Sequence, residues 1–510
     1  MSIAGANVLE VLSADVFLLI LDEVKNADFG GVKALRLVSR AMNELAEPLT
    51  FSSITIKIVL ESAPYIEHQL STLASGNSPA TRWTKRLTIL DLVPVMLTAM
   101  SQYDKLQGEA RETMLACQKR FLIPAIQALS NVEFASFRIP ERGPDAEVIR
   151  ALSQCPKLRD LSLSLPVDFE SRERVPQLET FANLRVLKLT SFVISASAIY
   201  SIGRIVSRCL ALEDLSLWNN RGQQNTQNLD IIFSGSMPSP SFVPSLTKLT
   251  VRNTPFTISA LSVPYLRSLV HLDVQMDEGN IDASLWQTLA LNGIQIRYFA
   301  VYPLDAAAIR YLASYEGLNE FHLRGHSGQE AKACPDEVFH TVLSRHRQSL
   351  HKLSFSSLNF RSWSITDNYL ECVLKCTALQ SLILLYHYPA DKECPGLDPQ
   401  EKLSMDLATL LTRITESLTS LQTLKLSPVR QYPSFACGKG IIKYISAMHE
   451  SFEREICGAT ITCARTPTFQ MQETDRLLGP FVLSPSIFDP NNGRFNPVEV
   501  KDKYRLRFPQ

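Results

Sequence analysis

The sequence predicts an α/β solenoid, that is, a curved parallel sheet with helices on its outer side, preceded by a small N-terminal helical bundle. Three observations support this prediction. A short apolar phrase recurs through the middle of the chain, and helical segments follow most of its copies. The segment Leu12–Leu45, in contrast, has the apolar spacing of amphipathic helices.

Length and composition restrict the possible classes. A chain of 510 residues is long for one compact core, which favours several domains or a repeat array. Its 51 basic residues balance 51 acidic ones, so no overall field favours nucleic acid or an anionic membrane. The apolar run "VFLLIL" is too short to span a bilayer and lacks the basic lead-in of a signal peptide. We therefore expect an intracellular protein, in the cytoplasm, the nucleus or both.

The first helix is apolar on two faces. At about 100° per residue, one stripe contains Leu12, Val16, Leu19, Ile20 and Val24. The roughly opposite side contains the further apolar residues Phe17, Leu18 and Leu21. A helix that is apolar on two faces needs two neighbours, and a chain terminus seldom provides both. The pattern therefore predicts that a second polypeptide covers one face.

Three segments near the N-terminus carry a family pattern: "LSADVFLLILDEV", "ADF" and "LRLVSRAMNELAEPLTF". Through these segments the N-terminal region resembles an F-box, in the variant common at the start of fungal repeat proteins. The resemblance implies a helical bundle that docks onto the adaptor Skp1 of a cullin-based ubiquitin ligase. Two features depart from the family: Ser13 replaces its usual Pro, and Gly30-Gly31 is expected to weaken a helix there.

Transferred onto this sequence, the resemblance implies six adaptor-binding residues from two helical segments. They are Leu12, Val16, Ile20, Val24, Leu37 and Val38. The alternative is that the bundle only caps the open end of the solenoid, as repeat arrays require. Each of these residues would then belong to an internal core.

The recurring phrase spans six residues and has apolar residues at its first, fourth and sixth positions. It resembles the leucine-rich repeat, because alternation such as Leu161-Ser162-Leu163 is the period of a half-buried strand. Weaker copies occur at Lys85–Leu90 and Val132–Phe137. The ten clear copies are Leu158–Leu163, Leu184–Leu189, Leu212–Leu217, Leu246–Val251, Leu269–Val274, Ile296–Val301, Leu318–Leu323, Leu350–Phe355, Leu379–Leu384 and Leu421–Leu426.

The cysteines follow the same repeat. Cys155, Cys209 and Cys376 each precede a middle apolar residue by six positions, where five other repeats have Phe, Val, Leu or Tyr and two have Gly293 and Arg347. This predicts buried, reduced thiols that pack as small apolar groups. Cys372 and Cys376 lack the second ligand pair that a zinc site requires, so we predict no metal.

Side chains between the inward apolar positions of a repeat strand are expected on the concave face. Aromatic residues and Arg dominate protein interfaces. The candidate substrate-binding residues are Trp218, Tyr298, Tyr302, His322 and Arg324. Alternatively, any one of them covers a neighbouring repeat or the folded-over tail.

These patterns predict four regions. Residues 1–56 form the F-box-like bundle, and residues 57–130 form a linker with irregular first repeats. Residues 131–430 form the solenoid, and residues 431–510 form a C-terminal cap helix and a Pro-rich tail.

The sequence contains no motif for nucleotide binding, zinc-dependent hydrolysis or a nucleophile elbow. We therefore predict no catalytic residues and no cofactor. The favoured hypothesis is a substrate receptor whose partners are a Skp1-like adaptor with its cullin complex and an unknown target protein, with neither nucleic acid nor membrane. The alternatives are an interaction scaffold without a ubiquitin role and a repeat protein that regulates a GTPase or nuclease.

Overall fold

The structure is a computed structural model that divides into two units. The first unit comprises Met1–Gln223 and Gln227–Leu246, and the second comprises Gln224–Thr226 and Thr247–Gln510. The described residues are 14–58, 63–91, 112, 116–138, 145–164, 178–190, 196–219, 227–234, 245–276, 281–324, 335–356, 363–386, 407–428, 468–471, 486–489 and 494–497.

Three helices open the first unit: α1 (Ala14–Ala27), α2 (Phe29–Leu35) and α3 (Arg40–Thr50). Their shared interior is formed by Phe17, Leu21, Val32 and Ala46. Partly buried apolar side chains surround this interior, namely Val24, Leu35, Met42, Leu45 and Leu49. The predicted helical bundle therefore forms around the Phe17 side of α1.

Helix α2 begins at the glycine pair that was expected to weaken it. Asp28 is its N-cap, and its carboxylate accepts hydrogen bonds from the N–H groups of Gly30 and Gly31 at 2.8 and 3.1 Å. A Cβ at Gly30 would lie 3.0 Å from Asp28 Oδ1. Gly30 and Gly31 are the second and third residues of the helix, so both lie in its first turn. The Asp28 cap there compensates for their low helix propensity.

Six parallel strands follow in the described part of the first unit. They are β1 (Ser53–Ile58), β2 (Arg86–Asp91), β3 (Phe134–Arg138), β4 (Asp160–Ser164), β5 (Val186–Thr190) and β6 (Asp214–Trp218). Leu87, Ala135, Leu161, Leu187 and Leu215 lie side by side in register. Strand β1 was not predicted: Phe51, Ile54 and Ile56 match the repeat phrase, but residues 1–56 were assigned to the N-terminal bundle.

Short helices lie between these strands. The α-helices are α4 (Ala63–Ala74), α5 (Pro79–Trp83), α6 (Ile123–Ala128), α7 (Asp145–Ser153), α8 (Ala196–Arg208) and α9 (Asp230–Ser234). Gln118–Leu122 is a π-helix and Leu178–Thr180 a 3₁₀-helix. Helices α8 and α9 approach closely at Gly203, where an added Cβ would lie 2.9 Å from the carbonyl oxygen of Ile231. A two-residue strand, β7 (Gln227–Asn228), precedes α9.

The second unit repeats the parallel arrangement. Its strands are β8 (Lys248–Arg252), β9 (Phe256–Thr257), β10 (His271–Gln275), β11 (Tyr298–Tyr302), β12 (Glu320–Arg324), β13 (Lys352–Ser356), β14 (Ser381–Tyr386), β15 (Thr423–Pro428), β16 (Thr468–Met471), β17 (Ser486–Asp489) and β18 (Arg494–Pro497). Strands β8 and β10–β16 pair in parallel, whereas β16, β17 and β18 pair antiparallel. The β14–β15 pair places Leu382 opposite Leu424.

The helices of the second unit are α10 (Val263–Leu266), α11 (Ala283–Leu291), α12 (Ala306–Ala313), α13 (Pro335–Glu337), α14 (Leu343–His346), α15 (Asp367–Leu374) and α16 (Leu407–Ser417). Ala260–Ser262 is a 3₁₀-helix and Val338–Val342 a π-helix. Aromatic side chains pack between strands and helices here. Trp286 lies 5.6 Å from Phe299, and Phe339 lies 5.3 Å from Phe355, between ring centroids.

The middle apolar residue of each of the ten predicted repeats lies in a strand and is buried. This confirms the predicted α/β repeat architecture.

Cys155, Cys209 and Cys376 are buried, free thiols, as their register predicts. Burial raises the pKa of Cys155 to about 11 and that of Cys376 to about 12.

Other predictions concern residues that the structure does not describe. The C-terminal cap helix expected at Gly438–Ile456 lies outside the described residues.

Within the described ranges, no helix has the length and apolar character that a bilayer crossing requires. Among the same residues, no cluster of three or more His, Cys, Asp or Glu side chains could hold a metal ion.

Candidate functional site

The N-terminal bundle presents apolar side chains on its outer surface. Of the six predicted adaptor-binding residues, Val16, Ile20, Leu37 and Val38 have exposed fractions of 43%, 44%, 88% and 68%. Leu12 lies outside the described residues. We call the four exposed residues, together with Leu19 and Phe29, the N-terminal apolar surface.

One member of the predicted set is less exposed than the others, and two further apolar residues are exposed. Val24 is partly buried and packs against the Phe17–Leu21 interior, so it contributes to the bundle core. Leu19 and Phe29 are exposed, although the sequence argument did not assign them to docking. Phe29 also lies beneath Lys33, whose Nζ is 4.8 Å from the ring centroid.

The turn after α2 holds two members of this surface. The backbone N–H groups of Leu37 and Val38 donate to the carbonyl oxygens of Ala34 and Leu35 at 3.0 and 3.1 Å. Ser39 then caps α3, since its Oγ accepts from the N–H of Met42 at 3.1 Å. A hydrogen-bonded turn between two helices therefore holds the Leu37 and Val38 backbone in place.

Exposed apolar side chains forgo the stabilisation that burial provides. Full burial of a Val, Leu, Ile or Phe side chain contributes about 1.5–3 kcal/mol. Three of the six side chains lie on α1, one on α2 and two in the turn after α2, and so many exposed large apolar side chains in one small bundle are typical of an interaction site. The bundle thus has a stable interior and an outer surface suited to a partner.

The predicted substrate-binding residues fall into two groups. Trp218 belongs to the first unit, where it ends strand β6 opposite Thr190 and is partly exposed. Tyr298, Tyr302, His322 and Arg324 belong to the second unit, on strands β11 and β12.

Three of the second-unit residues are in contact. The ring centroids of Tyr298 and His322 are 4.9 Å apart, and Arg324 Nη2 donates to the Tyr298 hydroxyl at 3.2 Å. On the neighbouring strand β10, the His271 ring stacks on the Tyr298 ring, with ring centroids 3.6 Å apart and planes inclined by 6°. The strand register explains the grouping, because His271, Tyr298 and Glu320 lie opposite one another on adjacent strands.

Tyr302 and His322 are buried, with exposed fractions of 3% and 6%, which corrects the expectation that both are accessible. Strand β11 is buried on both faces from Phe299 to Tyr302, a pattern common in parallel sheets that are covered on both sides. His322 lies against Tyr298, and its Nε2 is 3.2 Å from Glu320 Oε2. Burial lowers the pKa of His322 and raises that of Tyr298.

A buried carboxylate beside these rings was missed by the sequence argument. Asp273 Oδ2 accepts from Arg252 at 2.7 Å and from Arg324 at 3.3 Å, and its Oδ1 accepts from Gln275 at 2.8 Å. The four residues come from three different repeats. Only the strand register, which places Asp273 and Arg252 on adjacent strands, brings them together.

A cysteine and a histidine also lie within contact distance. Cys372 Sγ is 3.2 Å from His340 Nδ1 between neighbouring helical segments. Burial is the main cause that raises the pKa of Cys372. A nucleophilic thiol needs a lowered pKa, so this pair has the character of a packing contact.

The comparisons with known proteins agree with the repeat architecture. Residues 121–237 match the family model described as "FBD-associated F-box protein At5g56370, LRR repeats". No curated protein matches the chain. Together with the parallel strands and intervening helices, the family match supports an F-box/leucine-rich-repeat protein whose fold is a leucine-rich-repeat solenoid.

Proposed function

We propose that this protein is a non-catalytic substrate receptor of a ubiquitin ligase of the Skp1–cullin–F-box type. The N-terminal apolar surface binds a Skp1-like adaptor, and the repeat strands hold a target protein. The same proposal places the protein in the cytoplasm, the nucleus or both. The main support is the exposure of Val16, Ile20, Leu37 and Val38 on a bundle with its own core.

The distribution of apolar residues on α1 favours docking over a purely structural cap. Among the described side chains of this helix, Phe17 and Leu21 fill the interior and Val24 packs beside them. Val16, Leu19 and Ile20 lie on the solvent side, where they add nothing to that interior. A partner that covers them would gain the apolar burial that the isolated chain lacks.

The repeat strands suit the second half of this function. Stacked repeats present a broad surface of side chains from successive strands, and such surfaces are typical of protein-binding solenoids. Trp218 in the first unit and Tyr298 with Arg324 in the second provide the aromatic and guanidinium groups that dominate protein interfaces.

Co-expression with a Skp1-like adaptor tests the proposal. We expect a stable one-to-one complex on size-exclusion chromatography for the parent chain. Substituting Val16→Asp and Ile20→Asp places two charges in the docking surface and leaves the buried Phe17 and Leu21 unchanged, so the bundle should fold while the adaptor is lost.

Leu291→Asp is the matched control, because Leu291 is an exposed apolar residue at the end of α11 in the second unit. It should retain the adaptor. A parent chain that elutes without the adaptor would instead favour the scaffold in which the bundle is only a solenoid cap. Retention of the adaptor by the Val16→Asp/Ile20→Asp variant would reject this docking surface.

A further inference from the structure

The second unit carries an excess of basic side chains on the strand face opposite its apolar core. The strand residues of β8 and β10–β15 on this face include two acidic groups, Asp273 and Glu320. The five basic groups on the same face are Lys248, Arg252, Arg324, Lys352 and Lys425. Cations thus exceed anions on this part of the sheet.

Both acidic groups are already engaged by cations of the protein. Asp273 is bound by Arg252 and Arg324, and only 6% of its side chain is exposed. Glu320 Oε2 lies 3.2 Å from His322 Nε2 and 3.7 Å from Lys352 Nζ. A partner would therefore find little carboxylate to bind at this position.

Two of the cations remain partly accessible despite these ion pairs. Side-chain exposure is 34% for Arg324 and 41% for Lys352. The guanidinium of Arg324 is oriented by Asp273 and by the Tyr298 hydroxyl, which reduces the entropy that a further hydrogen bond would cost. The stacked rings of His271 and Tyr298 provide a flat surface beside these charges.

We propose that this surface, defined by Arg252, His271, Tyr298, Arg324 and Lys352, binds an Asp/Glu-rich segment of the target protein. At this surface three basic groups face the two carboxylates Asp273 and Glu320, so a further carboxylate complements the remaining positive charge, and Arg forms paired hydrogen bonds with carboxylates. Four strand spacings separate β8 from β13 along the sheet order β8-β10-β11-β12-β13. At about 4.8 Å each they amount to about 19 Å, which an extended segment of about six residues spans. This inference rests on the proposed function, since it names the class of target.

Peptide binding to the full chain tests it by fluorescence anisotropy. The probes are three labelled 12-residue peptides in which Gly alternates with Glu, Gln or Lys, together with a single-stranded oligouridylate. We expect the Glu peptide to bind more tightly than the Gln and Lys peptides and the oligouridylate, and to weaken as salt rises.

The variant Arg324→Gln/Lys352→Gln should weaken binding of the Glu peptide by about tenfold or more, which corresponds to about 1.4 kcal/mol. Lys352→Gln alone leaves the Asp273 contacts intact and should give a smaller loss. The control Arg345→Gln/Lys375→Gln removes the same charge from exposed helical positions and should change affinity less than twofold.

Equal binding of the Glu and Gln peptides, or equal losses in the double variant and its control, would overturn the inference. Tighter binding of the oligouridylate than of the Glu peptide would overturn it in favour of a nucleic acid. Adaptor binding is measured separately through the N-terminal apolar surface. If the parent chain binds the adaptor but does not prefer the Glu peptide, this inference alone is refuted. If the parent chain prefers the Glu peptide but does not bind the adaptor, the proposed function alone is refuted.

Discussion

The buried imidazole of His346 makes the stability of the second unit dependent on pH. Its Nδ1 accepts from the N–H of Leu318 at 3.2 Å, and its Nε2 lies 2.9 Å from the carbonyl oxygen of Leu312. These contacts fit the neutral ring with its proton on Nε2. Burial lowers the pKa of His346 from 6.5 to about 4, which outweighs the stabilisation of the charged ring by the Leu312 carbonyl.

The direction of the pH effect follows from this shift. Below pH 6.5 the unfolded chain takes up a proton at His346, whereas the folded chain does so only near pH 4. Stability is therefore fully present above pH 6.5 and declines as the pH falls towards 4. The shift corresponds to about 3 kcal/mol in total and about 2 kcal/mol at pH 5.

Urea unfolding of the parent and of His346→Gln at pH 7 and pH 5 measures this contribution. Trp286 and Trp363 are buried in the same unit and report its unfolding by fluorescence. The parent should lose about 2 kcal/mol more than the variant between the two pH values. All other titrating groups are common to both chains and cancel in the comparison.

An equal loss in the two proteins would refute the assignment of a neutral, buried His346. A titration of the histidine ring protons by NMR provides an independent reading that does not depend on the stability of the variant. A His346 signal that titrates near pH 6.5 would contradict the burial and hydrogen bonds described above.

Two further results are expected from the same packing. Gly203→Ala should destabilise the first unit by about 1 kcal/mol or more in thermal unfolding, because its Cβ would meet the carbonyl oxygen of Ile231. The control Ser201→Ala, on the same helix, should be nearly neutral. In the folded chain at pH 8, Cys155 should react with iodoacetamide about a hundredfold and Cys376 about a thousandfold more slowly than in urea, because burial raises their pKa values; peptide mass spectrometry measures both rates. Equal destabilisation by the two alanine substitutions, or alkylation rates that do not change in urea, would contradict these expectations.

The repeat strands could be predicted from the sequence because their signal is local. Alternation within six residues identifies Leu161 or Leu353 as inward positions, and parallel pairing then aligns such residues across neighbouring strands. The cysteine register was readable for the same reason, since Cys155 and Cys209 occupy a position that recurs in each repeat. Strand β1 escaped prediction because its copy of the phrase, Phe51–Ile56, lies within the region that was assigned to the N-terminal bundle.

The candidate surfaces could be predicted only in part. Helical periodicity separates two faces of α1, but it does not say which face the other two helices cover. The structure shows that Phe17 and Leu21 face inward and that the partly buried Val24 packs beside them, a contribution to the interior that the helical pattern did not indicate. The ion cluster around Asp273 and the burial of His322 depend on side chains from neighbouring repeats that are 20 or more residues away along the chain, which no local pattern identifies.

The most direct test of the proposed function is the affinity of the purified full chain for a Skp1-like adaptor, measured by isothermal titration calorimetry. We predict one-to-one binding by the parent, a loss of about a hundredfold or more in Ile20→Asp, and less than a twofold change in Leu291→Asp. Absence of binding by the parent, or equal affinities for the parent and Ile20→Asp, would contradict a docking role for the N-terminal apolar surface.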